Sequence, residues 1–177
     1  MLAVSGFTPE AAEAAAAAHG LVVANYNAAD QFVLAGADAA APAAVAVIEA
    51  EGGVAIRLRL AGAFHSEAFR RADEESAALI DTLPVQEEFL PLIGNRAGQL
   101  IRDAAGVRDE LSMQYTRPVA WTDSLATAYR HGVRTFVVTG PGNPIAGLIR
   151  RFGRTVEDRL QIIRLNAPTT APHDASS

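Results

Sequence analysis

The sequence contains no cysteine, and that absence alone removes disulfides, thiolate nucleophiles and cysteine metal sites. Lysine is missing too: all 15 basic residues are arginine, so a Schiff-base or phosphate-loop lysine is excluded. Aromatic residues make up only 6% of the chain, which predicts an aliphatic core. The four histidines, His19, His65, His131 and His173, are scattered without H-x-x-x-H spacing, and no metal site is expected. No apolar run approaches the roughly 20 residues that cross a bilayer, and Met1-Leu2-Ala3-Val4 lacks the basic start of a secretory signal. A net charge of −5 disfavours nucleic acid and anionic membranes as partners. The expectation is a soluble, cytoplasmic protein.

What is present is a chain of 177 residues, half of them apolar, with material for one domain or for a small domain and part of another. Alanine inflates the apolar share; it buries little area and favours helix. The first sixty residues read as β-α-β-β-α-β, the order of a ferredoxin-like split unit. Leu2 to Gly6 is a strand. Thr8-Pro9-Glu10 opens a helix with a threonine cap and a proline in its first turn, and Gly20 closes it. Leu21 to Asn25 and Phe32 to Ala35 are strands around the polar turn Asn27-Ala28-Ala29-Asp30. Asp38 is read as the cap of a helix over Ala39 to Glu51. Val54 to Leu60 alternates apolar residues with arginine, the pattern of a half-buried strand.

Gly62-Ala63-Phe64-His65-Ser66 then forms a loop between that strand and a helix over Glu67 to Thr82. A histidine at a strand-to-helix turn sits where α/β enzymes present catalytic side chains, although a loop histidine is also a common surface residue. The charged residues of the following helix, Arg70, Arg71, Asp73, Glu74 and Glu75, read as one solvated face. Further on, the pattern gives a short buried strand over Phe89 to Ile93 and a helix over Val107 to Tyr115, halted ahead of Pro118. Thr122 or Asp123 caps a helix reaching His131. Thr135 to Val138 reads as a strand buried on both faces of a parallel layer, followed by the turn Gly140-Pro141-Gly142-Asn143-Pro144, a helix over Ile145 to Phe152 and a strand over Leu160 to Leu165. The glycine turn matches no phosphate-binding spacing. The division expected is 1–61 as a small subdomain, 62–166 as the C-terminal part of a larger α/β subdomain, and 167–177 as a loose tail.

These segments, in this order, resemble the C-terminal portion of malonyl-CoA:acyl-carrier-protein transacylases and related acyltransferase domains of fatty-acid and polyketide synthases. The match runs through Met1 to Gly6, through Asn25-Tyr26-Asn27-Ala28-Ala29-Asp30-Gln31-Phe32-Val33-Leu34-Ala35-Gly36, and through Gly62 to Ser66. It continues through Pro118-Val119-Ala120-Trp121 and Gly140 to Leu148. Ala29 and Asp30 depart from the family's Pro-Gly. The resemblance implies an α/β fold in which a ferredoxin-like subdomain precedes part of an α/β-hydrolase-like acyltransferase domain. It implies His65 as general base and acid, and Gln114 as the residue whose backbone carbonyl orients that ring. It makes Phe64 the residue that crowds the acyl α-carbon, in the pattern associated with malonyl selectivity, and places Asn25 and Asn27 in the pocket. No bound cofactor is implied. Malonyl-CoA and the phosphopantetheine of an acyl carrier protein are the implied substrates, and the carrier protein is the implied partner.

The family's G-H-S-x-G elbow does not occur among the seven serines here. The expectation is therefore a histidine-bearing half, inactive alone and completed by an N-terminal half that carries the nucleophile, or else self-associating. A second possibility is a non-catalytic ferredoxin-like interaction module. A third, a hydrolase using Ser66 beside His65, conflicts with the geometry that a nucleophile–base pair requires.

Overall fold

The computed structural model describes residues 1–140 and 144–165. The expected tail over 167–177, and Pro141, Gly142 and Asn143 of the glycine turn, lie outside the described residues. Packing divides the chain into two units, Met1–His131 and Gly132–Ser177, and the expected boundary after Ala61 falls inside the first.

The first unit begins with the β-α-β-β-α-β order anticipated from the sequence. Strands β1 (Leu2–Ser5), β2 (Val22–Ala28), β3 (Gln31–Ala35) and β4 (Val54–Arg57) form one antiparallel sheet in the order β2-β3-β1-β4. Helices α1 (Pro9–Ala18) and α2 (Ala41–Ala50) are the two crossovers. The Thr8 hydroxyl accepts from the amide of Ala11 at 3.3 Å, which satisfies one of the unpaired donors of the first turn of α1. The core is Leu2, Val4, Phe32 and Leu34 from the sheet against Ala12, Ala16, Ala44 and Ile48 from the helices. Alanine lets these helices lie close to the sheet, and larger side chains from the strands fill the space between.

Two expectations fail here. Asp38 does not cap α2. Pro42 is tolerated only in a first helical turn, so the α-helix starts at Ala41 and residues 38–40 form a 3₁₀ turn. The Asp38 carboxylate pairs instead with Arg57. Strand β4 also turns the opposite way from the half-buried pattern. Its register with β1 sets Ala55 beside buried Val4 and leaves Val54 and Ile56 exposed on an edge strand.

The rest of the first unit consists of α3 (Arg70–Thr82), entered through a 3₁₀ turn at 67–69, α4 (Ala104–Ser112), α5 (Trp121–Arg130) and a two-stranded antiparallel ladder. The ladder pairs β5 (Leu92–Ile93) with β6 (Leu100–Ile101), a strand the sequence reading missed. The expected buried strand over Phe89 to Ile93 is thus two residues long, with Leu90 and Leu92 exposed, and it joins no parallel layer. Helix α4 starts earlier than expected, because Asp103 caps it by accepting from the amide of Gly106 at 2.7 Å.

In the second unit β7 (Thr135–Thr139) pairs in parallel with β8 (Gln161–Leu165), and α6 (Pro144–Phe152) connects them. Parallel pairing across a helix was expected; burial on both faces was not found. Val137, Ile163 and Leu165 are exposed, since β7 and β8 have only each other as neighbours among the described residues.

Candidate active site

His65 sits in the left-handed region at φ 58°, the one non-glycine residue with positive φ among those described. Histidine tolerates this region better than most residues, but such a backbone is costly and persists only where its surroundings hold it. Those surroundings can be traced residue by residue. Ala63 packs on the second face of the sheet against buried Ala24, Val33 and Ala35. The Ser66 hydroxyl, itself buried, donates to the Ala63 carbonyl at 2.5 Å and ties the loop to itself. Phe64 stacks on Phe69 with ring centroids 4.5 Å apart. A side chain at position 62 would meet the Phe69 ring at 2.8 Å, so glycine there lets that ring close over the loop.

The imidazole is held from the other side. Its Nδ1 lies 3.0 Å from the carbonyl oxygen of Gln114 and 3.1 Å from that of Arg117. Carbonyl oxygens only accept, so Nδ1 carries the hydrogen and shares it between the two; in the neutral ring Nε2 is then the nitrogen with the lone pair. The availability of the Gln114 carbonyl follows from the sequence. In a continuing helix the Gln114 carbonyl would accept from the amide of residue 118, but that residue is proline and has no N–H. The chain instead leaves α4 at Ser112 and turns through 113–117.

That turn is anchored to the sheet. The Tyr26 amide donates to the Val119 carbonyl at 2.9 Å, and the Val119 amide donates to that of Ala24 at 2.8 Å. This pairing brings Asn25 alongside Val119, two residues beyond Arg117. Asn27 lies further along β2. The structure therefore brings His65 and Gln114 into direct contact and Asn25 to the adjacent strand. Phe64 is turned onto Phe69, and the Asn25 and Asn27 side chains do not join the histidine contact. Ser66 does not face the imidazole as a nucleophile would, because its hydrogen is already engaged by Ala63.

Two contributors escaped the sequence reading. The Arg117 carbonyl had no distinguishing signal. Asp73, expected on the solvated face of α3, is buried at 8% exposure. Its carboxylate accepts from the Tyr115 amide at 3.1 Å and from the Thr116 hydroxyl at 2.5 Å. The signal was its spacing, since Asp73, Ser76 and Ile80 lie at i, i+3 and i+7 on the inward side of the helix. Beside the loop runs a cleft of about 860 Å³ lined by residues such as Met1, Arg57, Arg59 and Ala63. Among the described residues no group of acidic and histidine side chains could hold a metal ion, and no helix is long and apolar enough to cross a membrane.

The mixed α/β fold is one shared with solved acyl carrier protein transacylases. The particular likeness is to malonyl CoA-acyl carrier protein transacylases, and the chain resembles their C-terminal portion. It is 29% identical over 149 residues to the transacylase of Bacillus subtilis, covering 84% of this chain and 46% of that protein. It is 34% identical over 145 residues to that of Mycobacterium bovis, covering 78% of this chain and 46% of the relative. The solved transacylase of Coxiella burnetii superposes with a TM-score of 0.85 at 26% identity, over 93% of this chain and 52% of that one. No family model matches the chain. It thus spans about half the length of the curated relatives it matches.

Proposed function

We propose that this chain supplies the catalytic histidine of a malonyl-CoA:acyl-carrier-protein acyl transfer, in fatty-acid or polyketide synthesis. The observation that carries the reading is the shared Nδ1 contact of His65 with the Gln114 and Arg117 carbonyls, which leaves Nε2 free to move a proton. The nucleophile is a serine from outside these 177 residues, either in contiguous sequence or on a second chain. Nε2 takes the serine proton as the oxygen attacks the malonyl thioester carbonyl, then gives it to the coenzyme A sulfur as the carbon–sulfur bond breaks. In the second half the phosphopantetheine thiol of a carrier protein gives its proton to Nε2 and takes the acyl group. The serine oxygen recovers the proton.

In this reading residues 1–61 form a ferredoxin-like small subdomain and 62–166 the C-terminal part of the large one. Phe64 limits bulk at the acyl α-carbon, Asn25 and Asn27 line the pocket, and the reaction is cytoplasmic. No bound cofactor is needed. The exposed apolar residues of β7 and β8 support the idea that further strands, or another copy, cover them.

The test is a malonyl-transfer assay with a G-H-S-x-G-bearing N-terminal segment added in trans or fused. Transfer is expected only in its presence, and His65→Ala is expected to lose roughly 10²–10⁴-fold in rate. An alanine variant as fast as the parent would remove His65 from the chemistry. Light scattering with and without that segment should show a complex or self-association; a stable, inert monomer that ignores the segment would favour the second reading. In that reading the sheet β1–β4 is a non-catalytic module, which its self-contained core supports.

A further inference from the structure

Asp73 is the only charged side chain buried among the described residues. A buried carboxylate is costly unless its oxygens are well satisfied, and here each has one donor. Oδ1 accepts from the Tyr115 amide and Oδ2 from the Thr116 hydroxyl. Those two residues stand between Gln114 and Arg117, the residues whose carbonyls share the Nδ1 hydrogen of His65. Helix α3 starts five residues beyond His65, so one short stretch of chain carries both the imidazole and the group that fixes its acceptors. Nothing else that the structure describes bonds to the Tyr115 amide or the Thr116 hydroxyl.

We propose that Asp73 is a positioning residue for His65: by pinning Tyr115 and Thr116 it aims the two flanking carbonyls and so fixes the Nδ1–H tautomer. The proposal rests on reading His65 as the proton carrier, but it is tested without turnover. In the ¹⁵N-labelled full chain, long-range ¹H–¹⁵N spectra distinguish the tautomers, and loss of the His65 signals in His65→Ala assigns them among the four histidines. The parent chain should show the Nδ1–H form alone. Asp73→Ala should show both forms, Thr116→Val a smaller admixture, and Asp73→Asn an intermediate one, because the amide retains one acceptor oxygen. Near-UV circular dichroism checks that each variant is folded.

A folded Asp73→Ala chain that keeps the single Nδ1–H form overturns the proposal. Should that variant not fold, an unchanged tautomer in Thr116→Val overturns it equally. In the complemented transfer assay, Asp73→Ala is expected to lower kcat roughly 10–100-fold with KM unchanged, the size of effect that misplacing a reacting group produces. A tautomer shift without any transfer by the complemented parent would sink the transferase reading and leave the positioning role of Asp73 intact.

Discussion

Strands β3 and β7 are each five residues long and rich in apolar side chains, yet they meet opposite fates. β3 lies between β2 and β1, and Phe32, Val33, Leu34 and Ala35 are all buried, the even-numbered pair under the helices and the odd-numbered pair in a cluster with Ala24 that Met1, Leu58 and Ala63 cover. Among the described residues β7 pairs with β8 alone, and Val137 remains 56% exposed. An apolar run announces a demand for cover; only neighbouring elements meet it. The difference separates a sheet whose pairing is completed within these residues from one that still presents an apolar face.

The strongest way to break that comparison is Phe32→Ala, which empties the centre of the larger core and should cost about 3–5 kcal/mol in urea unfolding. Leu34→Ala, on the same face, should cost about 2–5 kcal/mol. Equal melting curves for these variants and the parent would mean that β3 is not the organising strand. Val137→Ala should change stability by only about 0.5 kcal/mol, as a surface substitution does. A loss as large as that at Leu34 would show that β7 is covered in solution. Val137→Arg sharpens the same point: it should leave the fold intact and reduce any self-association seen by light scattering.

A pH-dependent effect belongs to Tyr26, on the strand next to β3. Burial, then its hydrogen bond to Glu13 at 2.7 Å and the Glu13 charge, push its phenol up to about 12 from an ordinary value of 10. A raised value in the folded state means that this contribution to stability is complete below pH 10 and fades as pH climbs toward 12. Tyr26→Phe should flatten the pH dependence of the melting temperature in that window. An unchanged slope would show that the phenol does not carry it.

Much of this was legible in the residues. The order of β1–β4 with α1 and α2 came from short apolar runs, the polar turn at 27–30, the Thr8-Pro9 start and the glycine stops. The meeting of His65 with Gln114 came from the resemblance, and Pro118 explains it physically by withholding the amide that would otherwise occupy that carbonyl. What was hidden depended on tertiary context. The outward turn of Val54 and Ile56 is set by register with β1, not by their own alternation. The Leu92–Ile101 ladder is too short to leave a periodic signal. Asp73 looked like one charge in a charged stretch, and only its helical phase with Ile80 set it apart.

The double cover of β3 has one more consequence. The amides of that strand should be among the slowest in the molecule to exchange with deuterium, because releasing them requires lifting layers from both sides. Ala63 lies against that strand, two residues before the imidazole. In the proposed reaction, the ring that gains and loses a proton would therefore take its bearings from the part of the chain that solvent is expected to reach last.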